Sequence, residues 1–187
     1  MRTRDPEGKR QQLLNGALAE FAEHGIGGAR VDRIATRAGV SAGLVYSFYD
    51  GKDGLFEAVY DAIVEQTVSG ISIDADDLPE YAGKLYDAGL AHPEVMRFVA
   101  WYALERGDTE QAVRPIVVAS MAEKAAAIEA AQRRGTVTAQ RTASELLALV
   151  LAIANMWQRH GEDVRSLVPE AERRRVVVDT VRQLVAP

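Results

Sequence analysis

Apolar residues recur at three- and four-residue intervals along nearly the whole chain, and over no useful length do β-branched residues alternate with polar ones, so the pattern predicts helices and no strands. Leu14, Ala17, Leu18 and Phe21 mark the buried stripe of a first helix that should stop at His24-Gly25. Val31, Ile34, Ala35 and Ala38 repeat the spacing in a shorter helix ended by Gly39. Ser41 is a good N-cap for a third helix over 42–49, and Asp50 with Asp53 resembles a capping pair for a fourth over 52–68. After a polar linker at 69–77, further helices are expected near 78–91, 94–105, 110–134, 139–160 and 170–185, each bounded by Gly, Pro or a short polar run. The expected architecture is all-α: a small three-helix unit at 1–51 and a larger helical bundle at 52–187, joined by the helix at 52–68.

The second and third helices, separated only by Gly39-Val40-Ser41, fit a helix-turn-helix. Gly39 can take the left-handed conformation the turn needs. Ala35 is small enough for the helices to cross closely, and Val40, Val45 and Ile34 can seal the joint. In such a motif the second helix enters the DNA major groove and its N-terminal residues meet base edges. Val45 and Tyr49, four apart, should then point inward, while Ala42 and Tyr46 point outward beside Gly43 and Ser47. Gly43 permits close backbone approach, and Tyr46 and Ser47 offer hydroxyls to phosphates or bases. Leu44 and Phe48 fit either thymine methyl groups or the protein's own core. Lys52 in the first turn of a helix opposes the helix dipole unless an anion sits there, and Arg30 stands in a similar place at the start of the second helix. Both therefore fit phosphate contacts, against the plainer reading as solvated cations.

Net charge is −5, which by itself discourages a nucleic-acid partner. Its distribution is uneven: residues 1–52 carry eight Lys and Arg against six Asp and Glu, leaving the excess of acid to the rest of the chain.

With these residues in place, the segment from Lys9 to about Val68 resembles the DNA-binding domain of the tetracycline-repressor (TetR) family. The matching features are Phe21-Ala22-Glu23-His24-Gly25 closing the first helix, Val31, Ile34-Ala35 and Ala38-Gly39-Val40-Ser41, then Tyr46, Tyr49, Lys52-Asp53 and Leu55. The resemblance implies a homodimer that represses a promoter by binding a palindromic operator and lets go when a small molecule binds the C-terminal domain. It makes Tyr46 and Lys52 the foremost phosphate contacts and gives a DNA-contacting set of Arg30, Ser41, Ala42, Gly43, Leu44, Tyr46, Ser47, Phe48 and Lys52. The chain departs from the family at Ala29-Arg30, where hydroxyl residues are common, and at Ala42, Leu44 and Phe48, where more polar residues are usual.

In the second domain, the helix at 139–160 is apolar nearly all round, and the last helix adds Val177, Val181, Leu184 and Val185. The resemblance implies that two such helices from each subunit form a four-helix interface, with Leu147, Val150, Leu151, Ala154, Val177, Val181 and Leu184 as its candidate residues. Phe98, Trp101, Tyr102, Met121, Asn155, Met156 and Trp157 form a candidate effector pocket for a mainly apolar ligand, with Arg97 and Glu105 as further polar groups; each aromatic reads equally well as plain core, and Asn155 as a satisfied buried amide. Arg2, Arg4, Lys9 and Arg10 offer additional charge for phosphates.

Other chemistry is missing from the sequence. The chain has no cysteine and three histidines, none paired at metal-ligand spacing, so neither a metal nor a cofactor is expected. Gly51-Lys52-Asp53 echoes the end of a phosphate-binding loop, yet Tyr46 and Asp53 stand where Gly and Ser or Thr belong. An enzyme is not expected. MRTRDPEGKR lacks a signal peptide's apolar run, and the longest apolar stretch, 146–157, falls short of the roughly 20 residues a bilayer span needs. A cytoplasmic, non-membrane protein is the expectation. Two rivals to the ligand-released repressor remain: a DNA-binding regulator with no small-molecule effector, and an all-α small-molecule binder, which would show no salt-sensitive DNA binding.

Overall fold

Asp5 opens the first helix: its carboxylate accepts the Gly8 amide at 2.9 Å, and Pro6 takes a first-turn position where no amide is needed. The structure, a computed structural model, describes residues 5–107 and 109–187. Arg2 and Arg4 lie outside the described residues. The helices are α1 (Pro6–Gly28), α2 (Val31–Ala38), α3 (Gly43–Phe48), α4 (Gly51–Gly70), α5 (Leu78–Ala91), α6 (Pro93–Arg106), α7 (Pro115–Arg134), α8 (Ala143–Ala154), α9 (Met156–Arg159), α10 (Glu162–Arg165) and α11 (Glu170–Val185), with a 3-10 turn at Glu110–Ala112. No strand occurs among the described residues. The all-α expectation holds, and the chain folds into two compact units.

The first unit comprises the residues up to Gln66 together with Glu94–Ala112. By compactness, therefore, α6 joins the N-terminal helices, whereas the sequence boundary lay at 51/52. Leu13, Ala17, Phe21, Ile34, Val45, Leu55, Phe56 and Phe98 fill the core. Phe56 is its hub, with the Phe21 ring edge-on at 5.0 Å and the Phe98 ring at 4.9 Å. Such pairs add about 0.5–1.5 kcal/mol each beyond burial. Gly25 does not end α1 but kinks it: its φ of 63° and ψ of 179° suit glycine, and a Cβ there would stand 3.0 Å from the Trp101 ring.

α1 and α2 cross where Gly16 meets Ala38. A Cβ at Gly16 would lie 3.0 Å from the Ala38 amide and the Ile34 carbonyl, so the close approach of α1 to α2 depends on Gly16. Gly39 ends α2 at φ 65°, ψ 31°, in the left-handed region the turn requires. The cap assigned to Ser41 is a correction. α3 begins only at Gly43, Ala42 already has helical angles, and Ser41 contributes its carbonyl, which accepts the Leu44 amide at 3.0 Å. The Asp50–Asp53 pairing is corrected too: Asp53 instead accepts Arg106 from α6 at 2.7 Å.

The second unit comprises Thr67–Pro93 and Val113–Pro187. Asp77 caps α5 by accepting the Glu80 amide, and Pro115 starts α7 later than the 110 expected. The long helix expected over 139–160 is broken for a local reason. Thr142 and Glu145 form a capping box that starts α8 at Ala143, and Asn155 terminates it. Leu78, Tyr81, Ile128, Leu146, Val150, Ala154, Val177 and Val181 make up this unit's core. Arg174 on α11 clamps α5 by pairing with Glu80 and Asp87 at 2.8 and 2.9 Å.

Candidate nucleic-acid interface

The local sequence of α3 separates its residues by face. Val45 is fully buried against the first unit's core, while Ala42, Gly43, Tyr46 and Ser47 are exposed. Tyr46 is 68% exposed, an unusual display of a large ring. Leu44 and Phe48, left open by the sequence, are half-buried and pack against the core, as does Tyr49. Burial raises the pKa of the Tyr49 phenol, an effect partly opposed by the nearby Arg10 charge. The outward surface is therefore narrow. It presents one phenol, one aliphatic hydroxyl, a methyl group and a bare glycine backbone.

The frame behind this surface includes a carboxylate that the sequence reading overlooked. Glu20 on α1 is completely buried, and Arg33 Nε donates to its Oε1 at 2.6 Å. Arg37 Nε lies 3.2 Å from Oε2, and the Arg30 backbone amide donates to Oε1 at 3.2 Å. The Arg30 amide opens α2, so Glu20 places an anion at the N-terminus of that helix, where the dipole favours it. Arg37 also pairs with Glu23, and this hydrogen bond and charge hold the Glu23 carboxyl below its usual pKa. Two helices are thereby bolted together by charge in front of a hydrophobic core. A single apolar–polar pattern cannot reveal a Glu turned inward; its only signal was a carboxylate on the stripe side of α1, one residue from Phe21.

The two cations singled out by sequence both have protein partners. Lys52 is half-buried and its Nζ donates to the Ala29 carbonyl at 3.2 Å, just beyond the end of α1. This contact gives the lysine a reason to stand at the start of α4 without any external anion. Arg30 pairs with Asp32 at 2.8 Å through side chains that are both well exposed, and hydrogen bonding to that partner lowers the Asp32 pKa. A surface pair of this kind adds little stability and can give way to a stronger anion.

The candidate effector set is divided between the units, and the candidate dimer set lies wholly in the second. Phe98 and Tyr102 are buried in the first unit's core, where Tyr102 donates to Glu57 at 2.8 Å, and Trp101 packs against Gly25. Arg97 and Glu105 are exposed. Met121, Met156 and Trp157 belong to the second unit, with Trp157 in its core. Asn155 donates to the Leu151 carbonyl at 2.8 Å, the satisfied-amide reading, and so serves the end of α8. The Trp157 indole N–H is buried and has no acceptor among the described residues. Of the candidate dimer residues, Leu147, Val150, Ala154, Val177 and Val181 are buried within one chain's own core. Only Leu151 and Leu184 keep surface to share. The apolar run of α8 is spent largely on its own unit, and the neighbouring exposed positions are the small residues Ala148 and Ala152.

Among the described residues no group of His, Cys, Asp and Glu could hold a metal, and no helix is long and apolar enough to cross a membrane.

Comparison with known proteins matches both parts of the chain. Residues 13–59 match the family described as bacterial regulatory proteins, tetR family, and residues 77–183 match the tetracyclin repressor-like C-terminal domain. The HTH-type transcriptional repressor SCO4008 of Streptomyces coelicolor is 37% identical over 155 residues, which span 83% of this chain and 81% of the relative. Among solved structures, SCO4942 of the same species, described as a transcriptional regulator, superposes with a TM-score of 0.85 at 32% identity, covering 95% of this chain and 98% of that one. FadR of Bacillus subtilis, solved with stearoyl-CoA, shares the fold at a TM-score of 0.73 and 13% identity, covering 91% and 96%.

Proposed function

The chain belongs to the TetR family of bacterial DNA-binding transcriptional regulators, and from that premise we propose that it is a homodimeric repressor of a palindromic operator, released by a small, mainly apolar effector. The observation that carries this reading is the sorting of α3, with Val45 sealed behind and Ala42, Gly43, Tyr46 and Ser47 in front. Tyr46 and Ser47 contact phosphates or base edges, Gly43 lets the groove edge come close, and Arg30 exchanges Asp32 for a phosphate. Lys52 keeps Ala29 as one partner and shares its remaining donors with DNA. Because the apolar residues of α8 and α11 mostly serve one chain, the dimer seam uses Ala148, Leu151 and Ala152 with Val176, Thr180 and Leu184, positions that are exposed or half-buried.

Release follows from linkage. An effector lowers operator affinity only by binding better to a form whose two reading helices are wrongly spaced, and operator lowers effector affinity by the same factor. α4 suits this coupling because only two residues separate it from α3 and it runs on past Gln66, where the first unit's N-terminal segment ends. In the second unit Met121, Met156 and the unpartnered Trp157 N–H are the groups offered to the effector.

Salt titration tests the DNA reading. With six to ten phosphate contacts, affinity should fall about 10³- to 10⁵-fold between 50 and 200 mM salt. Tyr46→Ala should weaken binding without lowering the melting temperature. A salt-independent interaction, or wild-type affinity in Tyr46→Ala, refutes it.

A further inference from the structure

Resting on that DNA-binding reading, we propose that Arg10 of α1 is a further phosphate-contacting residue, held in place by the ring of Phe48 at the end of the reading helix. The guanidinium carbon of Arg10 lies 5.2 Å from the centroid of Phe48, over its face. The negative face of an aromatic ring attracts a cation, so this long side chain is drawn to one position beside α3. Phe48 itself is half-buried against the core and carries no hydrogen-bonding atom, so it brings no polar contact of its own to a backbone passing that end of the helix.

Apart from Lys9, the other cations from α1 to the start of α4 are already engaged. Arg33 and Arg37 serve Glu20 and Glu23, Arg30 pairs with Asp32, and Lys52 bonds to the Ala29 carbonyl. Among the described residues of this segment, Lys9 and Arg10 have no such carboxylate or carbonyl partner, and Arg10 is the one fixed against α3. It is also exposed. An arginine in this state retains its full set of donors for a phosphate and loses little freedom on binding, because the ring has already oriented it. The pairing makes Phe48 a positioning residue and gives a purely apolar side chain a task on an otherwise polar surface.

The test uses the full-length protein and a duplex recovered by selection from random DNA. Arg10→Ala should reduce the slope of log affinity against log salt by about one and weaken binding roughly three- to tenfold at moderate salt, with unchanged melting temperature. Phe48→Leu keeps apolar bulk but removes the ring face, so it should weaken binding in the wild-type background and add nothing in Arg10→Ala. An unaltered slope in Arg10→Ala, in a protein that still depends on Tyr46, overturns the proposal alone. Equal losses from Phe48→Leu in both backgrounds also overturn it, because Phe48 would then act on DNA directly. Indifference of binding to both salt and Tyr46→Ala would overturn the underlying reading and this proposal together.

Discussion

Replacing Arg33 with Met should destabilise the protein by about 2–3 kcal/mol, read from denaturant unfolding. The guanidinium makes two short hydrogen bonds, one to Glu20 and one to the Gly28 carbonyl near the end of α1. Its removal leaves a wholly buried carboxylate short of its strongest partner. Stripping a buried charge of its partner costs about 3–5 kcal/mol in general. The expected value is lower because Arg37 and the Arg30 amide remain within 3.2 Å of Glu20, and because Arg33 itself is part-exposed. The companion variant separates charge from packing. Changing Glu20 and Arg33 together to Met removes the stranded charge, so the double variant should recover most of the loss, Arg37 keeping Glu23. A neutral Arg33→Met, or a double variant worse than the sum of the singles, would show that the ion network does not hold α1 to α2.

Ser47→Glu should lower operator affinity at least about 100-fold, since setting like charges against each other at an interface costs several kcal/mol. Ser47 is exposed on the same short helix as Tyr46, so the substitution buries nothing, and surface changes of this kind usually move stability by less than about 0.5 kcal/mol. Ala126→Glu, at an exposed position on α7, adds the same charge elsewhere and serves as the control for net charge. Comparable losses in the two variants would mean that charge alone weakens binding. Full binding by Ser47→Glu would remove α3 from the interface.

Periodicity made the all-α class legible, along with most helix positions and the division of α3 into inner and outer faces. What it could not convey was how each residue spends its contacts. Nothing in the spacing distinguishes Glu20, yet it is buried and organises two arginines, because hydrophobic spacing registers side-chain type and not pairing. Lys52 looked misplaced without an anion, whereas a backbone carbonyl brought close by folding supplies a partner. The apolar run at 146–157 suggested a surface shared between subunits, but five of its twelve residues fill their own chain's core and Asn155 cuts the helix short. Spacing pairs Phe98 with Tyr102, four apart on α6, but says nothing of whether Trp157 joins them. Phe98 and Tyr102 share α6 in the first unit's core whereas Trp157 lies in the core of the second, and only tertiary folding decides which aromatics meet. The Ser41 cap failed for a smaller reason: Ala42 adopts helical angles without needing a side-chain acceptor before it.

On the function proposed here, α3, presented outward from a braced three-helix unit, reads DNA in two copies related by a dimer axis. Selection of bound duplexes from a random pool by the full-length protein tests it most directly. The expected product is an inverted repeat whose half-site centres lie about one helical turn, or a multiple of it, apart. Recovery of no preferred sequence, or of a single unsymmetrical motif bound by one chain, would contradict it.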